Sequence, residues 1–184
     1  MSFDLDQFIA DCRAAVNEHA PTKAVREVVA RAVSEPSAML DVLGAPSKGE
    51  VQRIHVSDEL TVINVIWAPG MTIMPHNHNM WAVIGVYTGR EDNIFWRRIE
   101  DDPEGHIEAA GADSIGPGKV VPLGKNIIHS VTNPTGLFTS AIHVYGGNFF
   151  EEHRSEWDPA ELTEQDYDIE KNMRLFEEAN ARLA

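Results

Sequence analysis

From Glu50 onward the chain is a succession of short runs rich in β-branched and aromatic residues, and this constrains the fold more than any other feature. "VQRIHV", "LTVINVIW", "MWAVIGVYT", "NIFWRRIE", "KVVPL", "IIHSVT" and "FTSAIHVY" are each of strand length. Between them stand "SDE", "APG", "TGRED", "DDPEG", "GPG" and "NPTG", all dense in turn-forming residues. No helix-length segment intervenes, so alternating βαβ units are excluded and an antiparallel sandwich, barrel or jelly roll is expected.

The flanks read differently. In "DLDQFIADCRAAV", Asp4 and Gln7 form a capping-box pattern, and Leu5, Phe8, Ile9, Cys12 and Val16 follow helical spacing. Thr22 is expected to cap a second helix carrying Val25, Val28, Val29 and Ala32. Ser34 with Pro36 opens a short third helix that Gly44 closes. After Phe150 the chain turns polar. Asp158-Pro159 with Glu161 is read as the start of a helical tail, with Ile169, Met173 and Phe176 at helical spacing. A single domain over residues 1–184 is expected: helical over 1–48, β-barrel over 49–150, helical again over 151–184.

Composition narrows the function. The formal net charge of −14 argues against a nucleic-acid partner or an anionic membrane surface, although one local arginine still suffices for a small anion. Cys12 is the only cysteine, so no internal disulfide or cysteine-based metal site forms, and it is read as a small buried apolar residue. No charged-then-apolar leader opens the chain and no apolar run approaches membrane-spanning length, so a cytoplasmic location is expected.

The histidines carry the chemistry. In a strand, residues two apart share a face, so His76 and His78 in "MPHNHNM" point the same way with their rings at converging distance. His129 in "IIHSVT" lies in a later strand able to supply a third nitrogen from across the barrel. Three neutral imidazoles with open positions make a metal site that admits substrate or oxygen, suited by coordination alone to Fe, Zn, Ni, Cu or Mn. His19, His55, His106 and His153 are read as surface residues. Met74 and Met80 are read as soft apolar walls of the pocket, and Trp81 and Trp96 as core or pocket wall.

Gly70, His76, His78 and Gly89, followed by Gly116, Pro122, Gly124, His129 and Asn133, resemble the two motifs of the cupin superfamily. The resemblance covers Gly70 to Asn133 and implies an antiparallel double-stranded β-helix with a metal at its centre. The motif glutamate is replaced by Ala82, so a three-histidine site remains, and within cupins this is similar to the thiol dioxygenases. "SAIHVYGGNF" resembles the second-coordination-sphere segment of cysteine dioxygenase: His143 and Tyr145 match, Ala141 stands in place of the serine, and Ser140 falls on the opposite face. That likeness implies Fe(II) as cofactor and oxidation of a small thiol by O2 to a sulfinate. Tyr145 would bind or protonate the oxygen species, and Arg53 would hold the substrate carboxylate. Without that role, His143 and Tyr145 are a hydrogen-bonded core pair and Arg53 is a surface residue on a barrel strand. Other readings are a C–C-cleaving dioxygenase, an isomerase, or a non-catalytic metal- or ligand-binding cupin, as monomer or homodimer.

Overall fold

The computed structural model describes residues 2–183. Helices α1 (Leu5–Val16), α2 (Pro21–Val33) and α3 (Pro36–Leu43) precede strands β1 (Glu50–Val56), β2 (Thr61–Trp67), β3 (Thr72–Asn77), β4 (Ala82–Thr88) and β5 (Glu91–Arg98). Then follow β6 (Ile107–Ile115), β7 (Lys119–Leu123), β8 (Ile128–Thr132), β9 (Thr139–Tyr145), β10 (Ser155–Trp157), β11 (Glu164–Asp166) and helix α4 (Ile169–Ala181). The strands form two antiparallel sheets in the orders β1-β2-β9-β4-β7 and β11-β10-β3-β8-β5-β6. This is the antiparallel double-stranded β-helix with N- and C-terminal helices that the sequence leads one to expect.

Period-2 alternation divides the first sheet between two cores. Ile63, Val65, Trp67, Ala82, Ile84, Val86 and Ala141 face the second sheet, where they meet Ile73 and Val131. Val62, Val83, Ile142 and Val144 face outward and are covered by Val25, Val29 and Val33 of α2 and by Cys12 of α1. Central strands buried on both faces therefore lack polar alternation, as β2 and β9 show. Burial also pushes the Cys12 thiol up to about 12, which leaves it an inert apolar side chain.

Several local expectations need correction. Asp4 does cap α1, accepting from the Gln7 backbone N–H. Thr22, however, lies inside α2. The helix begins one residue earlier because Pro21 suits its first position, having no N–H to leave unsatisfied. Ser34 is the C-cap of α2, and α3 starts from Glu35 and Pro36. The tail is not helical from Asp158. Its carboxylate accepts the N–H groups of Ala160 and Glu161 to form a tight turn, and the chain returns as β11 against β10. Asp168, not Asp158, caps the helix that follows, accepting from the Lys171 N–H. Strand β6 was missed because seven of its successive residues are exposed at a sheet edge, so no alternation marks it.

Gly85 is where α2 meets the barrel. A Cβ there would lie 2.5 Å from Val29 Cγ1 and 2.8 Å from Val33 Cγ1, and valine methyls in a helix have little rotamer freedom to withdraw. Gly85→Ala should therefore cost about 1–3 kcal/mol of stability, measured by urea unfolding. Adding Val29→Ala should restore part of it, and strict additivity of the two changes would show that the helix does not rest on this residue.

Candidate metal centre

Strands β3 and β8 pair antiparallel with Ile73 opposite Val131, a register that would set Pro75 against His129. Proline has no N–H to give to that ladder. A one-residue bulge at Met74-Pro75 shifts the pairing, and His76 stands opposite His129 instead. His78 lies one residue beyond β3, just before a turn in which Asn79 adopts φ 51° and donates to the His153 carbonyl. All three imidazoles are buried, and one nitrogen from each lies within 4.8 Å of the other two.

Hydrogen bonds decide which nitrogens face inward. His76 Nδ1–H donates to the Met74 carbonyl at 3.0 Å, leaving Nε2 as a lone pair. His129 Nδ1–H donates to Asn93 Oδ1 at 2.7 Å, again leaving Nε2 bare. His129 Nε2 and His78 Nε2 are 3.2 Å apart. Two nitrogens bound at about 2.0–2.1 Å to one ion at near-right angles lie roughly 3 Å apart, so the spacing fits a shared metal. Orientation of ligand imidazoles by outer hydrogen bonds is the usual companion of such a site. Burial lowers His76 to about 4 and takes His78 and His129 well below the ordinary range, the neighbouring imidazoles adding to the effect. The neutral, metal-binding form is thus the resting form. Among the described residues no carboxylate or thiol joins the group. Ala82 approaches from the opposite sheet, paired with Tyr145, as a fully buried methyl in the inner core.

Beside the imidazoles lies a cavity of about 70 Å³ with a mostly apolar wall that includes Val65, Trp67, Val131 and Phe176. Tyr145 and His143 reach it, with His143 Nδ1 3.0 Å from the Tyr145 hydroxyl and Tyr145 edge-on to His78 at 5.1 Å. Arg53 does not reach it. It is exposed outside this cavity, stacked 3.8 Å over Phe150, because β1 is the edge strand of its sheet. The cavity's cation is Arg154, in the loop before β10 and 5% exposed. Phe149 and Tyr167 flank its guanidinium at 3.9 and 4.2 Å, and its Nε and Nη1 have no hydrogen-bond partner among the described residues. Nothing in "EEHRSEW" marks this arginine in advance, since it sits among acidic surface residues and is brought inward by the β10–β3 pairing. Asn172 of α4 adds an unpartnered Oδ1 to the cavity lining, its Nδ2 being held by Glu156.

Met74 and Met80 are not walls of the cavity but pack in the core. Of the two readings of Trp81 and Trp96, core or pocket wall, the packing is that of core: Trp81 packs toward the helices, and Trp96 lies on the far side of its sheet. Arg97 and Arg98 both pair outward, with Glu108 and Glu164. His19 and His153 are exposed, His106 is part-exposed and bonded to Asp102, and His55 is half-buried.

No family model matches the chain. Among solved structures it is similar to an RmlC-like cupin family protein with a double-stranded β-helix fold from Methanocaldococcus jannaschii, at 13% identity over 58% of this chain and 86% of that one, with a TM-score of 0.45. It is similar to oxalate decarboxylase from Bacillus subtilis at 17% identity and TM-score 0.45, over 59% of this chain but only 27% of the decarboxylase. A Cupin 2 conserved barrel domain protein from Salinispora arenicola matches at 22% identity and TM-score 0.42, over 53% of this chain and 75% of that one. None of the described helices is long and apolar enough to cross a membrane.

Two outcomes follow from this geometry. Single replacement of His76, His78 or His129 by alanine should remove most of the bound divalent metal in elemental analysis, whereas His106→Ala should retain it. The metal-free protein should also lose stability in acid. Its buried histidines have folded-state affinities for protons below the unfolded value of about 6.5, so the unfolded chain takes up protons first. Stability is full above that value and falls by up to about 1.4 kcal/mol per pH unit per histidine as pH drops toward 4. Thermal melts between pH 7 and 5 check this, and loading the metal should raise stability throughout that range while leaving the slope, because the unfolded chain still takes up the protons.

Proposed function

We propose that this chain is a metal-dependent cupin oxygenase that converts a small, carboxylate-bearing thiol and O2 to the sulfinate, RSH + O2 → RSO2H. The observation that carries the reading is the buried Arg154, its Nε and Nη1 without a hydrogen-bond partner among the described residues, in the same small cavity as three convergent imidazoles. A guanidinium stays protonated and is costly to bury without an anion, so the cavity asks for an anionic ligand. His76, His78 and His129 would hold the ion, Fe(II) in this reading, with Zn, Ni and Mn also suited to three imidazoles. A bound divalent ion supplies Lewis acidity toward the thiol and electron exchange with O2.

The chain's own residues do the rest. Arg154 binds the carboxylate, its plane fixed by Phe149 and Tyr167, so the thiol end is directed toward the imidazoles. Trp67 and Phe176, stacked at 5.6 Å, help keep water out. Tyr145 sets its hydroxyl at the cavity wall beside His78, and burial raises its pKa, so it remains a neutral phenol whose oxygen would hydrogen-bond a ligand in the cavity. A cavity of about 70 Å³ suits a substrate of few heavy atoms. A cytoplasmic location accords with the single buried thiol of Cys12.

The test is an oxygen-electrode screen of metal-loaded protein against small thiols, with products identified by mass spectrometry. One O2 per sulfinate with a mercaptocarboxylate supports the proposal. Metal binding without O2 uptake for any thiol would point to a binding cupin, and uptake with diketones instead would point to C–C cleavage. Within the series, Arg154→Gln should lower kcat/KM for carboxylate-bearing thiols by about 2–5 kcal/mol and leave an aminothiol without a carboxylate little changed. Arg53→Ala should leave both nearly unaltered.

A further inference from the structure

Glu91 is fully buried at the start of β5, and nothing in the proposed chemistry has used it. Its Oε1 accepts from Asn93 Nδ2–H and its Oε2 from Trp67 Nε1–H, both at 3.0 Å. Both partners act only as donors there, so each oxygen is committed as an acceptor. Asn93 Oδ1 in turn accepts His129 Nδ1–H at 2.7 Å. On its other side, Glu91 Oε2 lies 4.0 Å from His143 Nε2, a buried nitrogen with no hydrogen-bond partner among the described residues. His143 Nδ1 lies 3.0 Å from the Tyr145 hydroxyl. Ala141, on the same face of β9 as His143, has no polar group to offer that imidazole.

We infer that Glu91 is a positioning residue that orients both halves of the centre: the ligand His129 through Asn93, and the phenol of Tyr145 through His143. A bare lone pair on His143 Nε2 would face an acceptor oxygen across a dry gap, which is repulsive, whereas an N–H there is attracted to it. The proton therefore resides on Nε2 and leaves Nδ1 as an acceptor. Tyr145 then donates its O–H to His143 Nδ1 and turns its oxygen lone pairs to the cavity. The phenol thereby accepts hydrogen bonds from what binds there. Glu91 supplies from β5 the fixing group that Ala141 cannot. The significance of Tyr145's orientation rests on the proposed function, but the hydrogen-bond assignment stands apart from it.

Imidazole 15N NMR on the full-length, metal-free protein tests this without any turnover. The His143 signals are assigned by their loss in His143→Gln. The expected result is His143 as the Nε2–H tautomer and His129 as the Nδ1–H tautomer. Finding His143 as the Nδ1–H tautomer would overturn the inference, because Glu91 would then be acting as a donor or not at all. Glu91→Gln keeps the shape but halves the acceptor oxygens, so at least one of the two imidazoles should show mixed tautomers. Unchanged spectra at both would also overturn it. If Glu91→Gln does not fold, the wild-type spectrum alone still decides. Absence of thiol oxidation would remove the proposed reaction and leave this assignment standing.

Discussion

The bulge at Met74-Pro75 is the constraint from which the centre follows. A regular ladder continuing from Ile73–Val131 would put a proline ring opposite His129, with a missing donor and no ligand. One extra residue in β3 moves His76 into that place. It also lets the Met74 carbonyl turn back to His76 Nδ1 and hold the imidazole in a metal-binding tautomer. The local geometry that spoils one ladder pair thus creates two features of the site, the opposition of two histidines and the tautomer of one.

The second layer is polar and lies within an apolar core. Asn93 and Glu91 occupy alternate inward positions of β5, and they link His129 to Trp67 across the two sheets. Buried polar groups are tolerated only when satisfied, and here most of the bonds are made. Four of the six exceptions among the described residues lie beside the cavity, Arg154 Nε and Nη1, Asn172 Oδ1 and His143 Nε2, while His55 Nε2 and Ser140 Oγ lie on the helix-covered face. Orphaned donors and acceptors around one small space indicate that a ligand completes the network. The opposite face of the first sheet is covered by the helices through valines, alanines and Cys12.

How much of this was legible in the sequence depends on range. The strands buried on both faces and the turn-rich breaks announced an antiparallel barrel, and the spacing of His76, His78 and His129 led to a cluster that the fold brings together. Those signals are local or follow strand periodicity. Arg154 was not legible, because its place is set by the β10–β3 pairing and by packing between two aromatic rings, neither of which leaves a spacing in the chain. Arg53 matches the likeness of an early-strand arginine and shares the strand face of Val51, but it stays exposed at the open edge of the sheet, over Phe150 and outside the cavity. Strand β6 escaped notice because an exposed edge imposes no alternation, and the β10–β11 hairpin because three-residue strands are too short for periodicity to register.

The central claim is that three histidines hold a metal to which a small thiol gains access. X-ray absorption at the metal edge of the loaded protein, before and after addition of a mercaptocarboxylate, tests it most directly. The account predicts multiple scattering from about three imidazoles at roughly 2.0–2.1 Å before addition, with no sulfur from the protein, and a sulfur scatterer once the thiol is present. A spectrum without imidazole scattering, or one that the thiol leaves unchanged, would contradict it.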